Sequence, residues 1–102
     1  MAQFDVHKDR KGKVYPLLLD VQADLLTHLD TRVVVPLALK RTYRAKPMRI
    51  LNPTVLVRNV EYVAVFQEIA AIAVSEVGEV VASVASQRSA VIAALDFLLT
   101  GS

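Results

Sequence analysis

The sequence has no cysteine, no tryptophan, three glycines and two histidines in 102 residues. Without cysteine there is no disulfide scaffold, no thiolate nucleophile and no Cys-based metal site. The three glycines, Gly12, Gly78 and Gly101, are too scattered to build a phosphate-cradling loop. His7 and His28 fall at a strand edge and in a loop, with no Gly-x-Ser-x-Gly element nearby, and both read as surface residues. Paired with Asp9 or Asp30 at i, i+2, each offers only two metal ligands and an incomplete shell. No apolar run reaches the ~18 residues of a membrane span. The richest stretches, Tyr62 to Val74 and Ala90 to Leu99, are interrupted by Gln67, Glu68 and Asp96. The N-terminal residues mix charges with single apolar positions and lack the apolar core of a secretory signal, so the cytoplasm is the expected location.

What the sequence does have is apolar mass. Hydrophobic residues make up 54% of the chain and charged ones 22%, with a mean hydropathy of +0.41. The length fits one domain, residues 1–102. So short a chain leaves much of its surface in water, so this excess points to burial against a partner or a second copy. The net charge of +2 is unevenly spread. Residues 1–58 carry eleven Lys and Arg against five Asp and Glu, a net +6, and residues 59–102 carry one against five, a net −4. A basic half attracts nucleic acid or an acidic peptide, or is simply a solvated face. No Lys/Arg run or aromatic interleaving marks a nucleic-acid platform, and no sequence-specific nucleic-acid contact is expected.

Alternation over Gln3–His7 predicts a strand with Phe4 and Val6 on one side. The charged segment Asp9–Lys13 suits a turn into a second strand within Val14–Val21, with Pro16 at an edge or bulge. A polar loop over Thr27–Thr31 leads to a third strand, Arg32–Leu37, ending at proline. Lys40 to Arg49 reads as a long, exposed, basic connection. A hairpin is predicted from Thr54–Arg58 and Glu61–Phe66 around Asn59-Val60, followed by a short strand over Ile69–Val74. From Val84 to Leu99 apolar residues recur at spacings of three and four, which predicts a helix, with Ser83 or Ser86 as cap and Gly101 just beyond its end.

Asp20, Asp24 and Asp30 lie close in sequence, and paired carboxylates can perform acid–base work. Asp20 sits at a strand position where it can instead accept from Arg32 or a backbone amide, and Asp24 and Asp30 read as turn residues. Nothing in the chain demands a cofactor, and no catalytic set stands out.

Three stretches resemble the CcdB toxin family: Gln3-Phe4-x-Val6, then Leu19–Leu26 followed by Arg32–Leu37, and the tail from Val74-Ser75 through Gly78-Glu79 to Gly101. The similarity runs over essentially the whole chain without gaps. It implies an α+β, mainly β fold, a twisted antiparallel sheet of SH3-like barrel character with a C-terminal helix, working as a homodimer. It further implies a non-enzymatic toxin of a type II toxin–antitoxin pair that binds the A subunit of DNA gyrase and traps the complex with cleaved DNA. A cognate antitoxin with a disordered tail would withdraw it, and Lys8, Arg10, Lys11, Lys13, Arg41 and Arg44 would suit an acidic tail. The resemblance places the gyrase contact on Leu25, Leu26, Asp96, Thr100, Gly101 and Ser102. In the family the tail is Trp-Gly-Ile and the position of Asp96 an asparagine. Here Thr100 and Ser102 replace the aromatic and the large apolar residue, a loss on the scale of an interface anchor, ~2 kcal/mol or more. Two alternatives therefore stand beside gyrase poisoning: an antitoxin-binding homologue without gyrase affinity, and an endoribonuclease like the related MazF toxins, which share the barrel.

Overall fold

The computed structural model describes residues 2–10 and 14–101. Strands β1 (Asp5–Asp9) and β2 (Leu17–Asp20) form an antiparallel pair in the register Val6 opposite Leu19 and His7 opposite Leu18. The connecting Lys11–Lys13 lie outside the described residues. Pro16 stands just before β2, its carbonyl accepting from the Asp9 N–H at 3.4 Å, where no ladder donor is needed. Phe4 is not part of β1. Its φ of 71° turns the chain, and its N–H donates to the Asp20 carbonyl at 2.7 Å.

β3 (Thr31–Leu39) is longer than the sequence predicted and does not stop at Pro36. It pairs with β2 along one side, and along the other with β6 (Ala70–Ala73) through residues 31–34 and with β5 (Val60–Ala64) through residues 37–39. Pro36 falls where that side changes partner, so its missing N–H costs no ladder bond, and its carbonyl accepts from Val65 N–H at 2.9 Å. β4 (Thr54–Val57) and β5 form the expected hairpin, but its turn is Arg58-Asn59 rather than Asn59-Val60. Both turn residues have positive φ, 51° and 65°, as a two-residue turn that matches strand twist requires.

β7 (Val77–Ser83) is a strand that the sequence pattern does not predict. Its half-exposed pattern alternates poorly because its pairing with β1 shifts register twice, which breaks the period-two signal. Gly78 makes this pairing possible, since a Cβ there would lie 2.5 Å from the Lys8 carbonyl oxygen. The strand order is β4-β5-β3-β2-β1-β7, with β6 beside β3, and every pairing is antiparallel.

Helix α1 (Arg88–Thr100) begins later than the periodicity from Val84 suggested. Val84 is instead fully buried and ties the chain down through its N–H to the Phe4 carbonyl at 2.9 Å. The Ser83 hydroxyl accepts from Ala85 N–H at 3.2 Å, so the predicted cap acts on the short 3-10 turn before the helix. Val91 and Ala94 of α1 join Val6, Leu19, Val35, Leu37, Val55 and Phe66 in the core between sheet and helix. Each such fully buried Val, Leu or Phe contributes about 1.5–3 kcal/mol. The architecture is α+β and mainly β, a curled antiparallel sheet closed by one C-terminal helix, as the resemblance implied.

The opposite face of the central strands is covered as well, with His7, Leu18, Asp20, Arg32 and Val34 all buried. His7 is therefore not a surface residue. It is 3% exposed, and its Nδ1 donates to the Gly78 carbonyl at 3.0 Å. His28 is exposed, as predicted.

Candidate functional site

Three sets of residues carry the functional expectations, and each has its own scaffold. Leu25 and Leu26 lie in a 3-10 turn, Asp24–Leu26, where Leu25 is 90% exposed. So apolar a residue in solvent is held there by polar groups beneath it. Arg32, buried, donates from Nε to Asp20 Oδ2 at 2.9 Å, with Nη2 2.6 Å from the same oxygen. Asp20 Oδ1 accepts from Gln22 N–H at 3.0 Å. The Gln22 side chain then spans two elements, donating to the Leu26 carbonyl at 3.0 Å and accepting from Val33 N–H at 3.0 Å. Asp24 closes the turn from outside by accepting from Gln3 N–H at 2.7 Å. The sequence suggested the Asp20–Arg32 pair. It offered no sign of Gln22, whose role depends on β3 passing beside the turn.

The second set is the end of α1. Asp96, Leu99 and Thr100 are exposed, Leu99 at 77%. Thr100 Oγ1 donates to the Asp96 carbonyl at 2.7 Å, so its hydroxyl is turned back along the helix. Gly101 takes the left-handed conformation, φ 77°, and its N–H donates to the Phe97 carbonyl at 2.9 Å, which ends the helix where the sequence predicted. Ser102 lies outside the described residues. The two sets rest on different supports. The turn at Asp24–Leu26 hangs from β2, β3 and Gln3, while α1 packs over the short turn Phe66–Glu68 and the core.

The basic residues divide in two. Arg41, in the short turn Lys40–Thr42, and Arg44 each line one of two clefts that share Leu39. One, of about 570 Å³, is walled by Lys40, Arg41, Asn59, Val60 and Glu61. The other, of about 510 Å³, is walled by Tyr15, Pro16, Thr42, Tyr43 and Arg44, among others. Lys8 and Arg10 line neither cleft. Lys8 pairs with Glu79 across β1 and β7 at 2.9 Å, and Lys11 and Lys13 lie outside the described residues.

Electrostatics give these sites little acid–base character. The Tyr15 phenol donates to Glu68 at 2.5 Å, and that bond, reinforced by burial and by the carboxylate charge, pushes its pKa up to about 12. The Lys8 ammonium, by hydrogen bond and by charge, lowers the Glu79 carboxyl below its ordinary value. Tyr15 is thus held as a phenol and Glu79 as a carboxylate, in separate places, and neither exchanges a proton easily near neutrality.

Among solved structures, the fold is similar to that of an endoribonuclease in complex with its cognate antitoxin from Mycobacterial species. The TM-score is 0.76 over 97% of this chain and 94% of that one, at 16% sequence identity, a likeness of fold alone. Sequence carries the likeness further: the model of the family described as CcdB protein matches residues 3–101. That span takes in the Leu25 turn, the basic connection and the end of α1, and the chain belongs to the CcdB family, toxins of toxin–antitoxin systems.

Proposed function

We propose that the protein is the toxin of a type II module that acts in the cytoplasm as a homodimer, binding the A subunit of DNA gyrase and trapping the complex with cleaved DNA. It acts by occupying its target, without catalysis of its own. The observation that supports this most is the reach of the family match to Gly101, since it includes the solvent-exposed end of α1 on which family members make their gyrase contact. Leu25, Leu26, Asp96, Thr100, Gly101 and Ser102 form the gyrase surface in this reading. A cognate antitoxin with an acidic, disordered tail is the neutralising partner, drawn to Arg41 and Arg44 beside the two clefts and to Lys8, Arg10, Lys11 and Lys13.

The direct test is binding of the purified protein to a gyrase A fragment, with trapping of cleaved DNA by whole gyrase as the second readout. A dissociation constant of about 10 μM or tighter is the expected result. A folded protein that does not bind at that concentration overturns gyrase targeting.

Thr100 favours a second reading, in which the chain binds antitoxin and spares gyrase. Its hydroxyl is committed to the Asp96 carbonyl and it offers no aromatic plane. Expression in a gyrase-sensitive bacterium separates the two, because growth arrest with cleaved DNA supports the first and normal growth the second. Thr100→Trp is then expected to convert normal growth to arrest. Cleavage of RNA by the purified protein would displace both readings in favour of an endoribonuclease.

A further inference from the structure

Strand β4 forms one end of the sheet, and its residues Thr54-Val55-Leu56-Val57 include no charge, no glycine and no proline. Natural edge strands usually carry such residues to stop other chains from pairing with them. The register with β5 sets Val57 opposite Val60 and Val55 opposite Tyr62, and Ala64 N–H donates to the Pro53 carbonyl at 3.0 Å. Residues 53, 55 and 57 therefore turn their backbone groups toward β5, and Thr54 and Leu56 turn theirs outward. Leu56 is also 51% exposed through its side chain.

The outward groups of Leu56 are not open to another strand. Gln87 Oε1 accepts from Leu56 N–H at 2.8 Å, and Gln87 Nε2 donates to the Leu56 carbonyl at 2.9 Å. One side-chain amide makes the same pair of bonds that an antiparallel partner residue would make. Its backbone is held too, with Gln87 N–H on the Val84 carbonyl at 2.8 Å and Val84 N–H on the Phe4 carbonyl.

We propose that Gln87 closes the β4 edge against self-pairing, and that the occupant it excludes is β4 of a second copy. Two such edges brought together antiparallel about a two-fold axis at Val55 are self-complementary, since Thr54 of each copy meets Leu56 of the other with no charge opposed. Because a homodimer is proposed above, association is judged against that of the unaltered chain.

Hydrogen exchange on the full chain provides the first test. Both the Thr54 and Leu56 amides face outward, yet Leu56 is expected to exchange about tenfold or more slowly. Equal rates overturn the proposal. Gln87→Ala is expected to remove that protection and to self-associate in sedimentation experiments at concentrations where the unaltered chain does not change state. Adding Leu56→Lys is expected to reverse the association. A folded Gln87→Ala variant that associates no more than the unaltered chain overturns the proposal. If Gln87→Ala does not fold, Gln87→Met serves instead. It keeps the side-chain length without a charge and loses both bonds to Leu56, so association is expected, and unchanged association again overturns the idea.

Discussion

Two glycines illustrate how differently one residue type is used. At Gly101 the conformation is left-handed and the space around a Cβ is empty, so Gly101→Ala suffers backbone strain alone, about 1 kcal/mol. At Gly78 a Cβ would sit 2.5 Å from the Lys8 backbone oxygen, and backbone does not swing aside. Gly78→Ala should therefore cost clearly more, about 2 kcal/mol or above, by separating β7 from β1. Thermal or urea unfolding of the two variants checks the order, and equal costs would contradict the close approach. The buried Asp20–Arg32 pair makes a second prediction at this scale. Arg32→Leu leaves the Asp20 carboxylate buried without its partner and should cost about 3–5 kcal/mol, whereas replacing both residues by apolar ones should recover much of that loss. Denaturant midpoints of the single and double variants distinguish these outcomes.

At the scale of elements, polar side chains tie together segments far apart in sequence, beside the apolar core. Tyr15, just before β2, bonds Glu68 in the turn that α1 packs upon. Because the folded-state pKa of the phenol, about 12, lies above its ordinary value of 10.0, the folded chain holds the proton more tightly than the unfolded one. The resulting stability is complete below pH 10 and is lost as pH rises toward about 12. Alkaline unfolding should thus steepen in that window, and Tyr15→Phe should flatten it. The difference in phenolate absorbance between the unaltered chain and Tyr15→Phe, titrating in the same window, is the independent check. The network from Arg32 through Asp20 and Gln22 to Leu26 works in the same way, holding an exposed apolar turn through buried groups. Gln22→Ala should free the Val33 amide to exchange and loosen the Leu25 turn, at about 1–3 kcal/mol.

Across the whole molecule the charge is divided, +6 over residues 1–58 and −4 over 59–102. An acidic partner approaching Arg41 and Arg44 is steered by charges that salt screens over about 10 Å at 0.1 M. Its association rate should fall as ionic strength rises, and Arg41→Glu with Arg44→Glu should slow it further while leaving dissociation nearly unchanged. Stopped-flow binding at several salt concentrations measures both. A salt-independent rate would remove these residues from the partner's path.

Much of this protein was legible in its sequence because the deciding interactions are local. The N-terminal hairpin, the β4–β5 hairpin, the exposed basic connection and the helix ended by Gly101 all follow from periodicity and turn chemistry. The resemblance carried the fold and the family, since it ran the whole length of the chain. What tertiary structure alone decided are the features that depend on which strands become neighbours. Pro36 is tolerated because β3 changes partner there, and β7 exists because Gly78 lets it approach β1. His7 is buried because both faces of the sheet are covered. Gln22 and Gln87 take their roles from backbone groups on other strands. A sequence window reports one segment's preferences, whereas hydrogen-bond partners and burial are set by residues far along the chain that folding brings alongside.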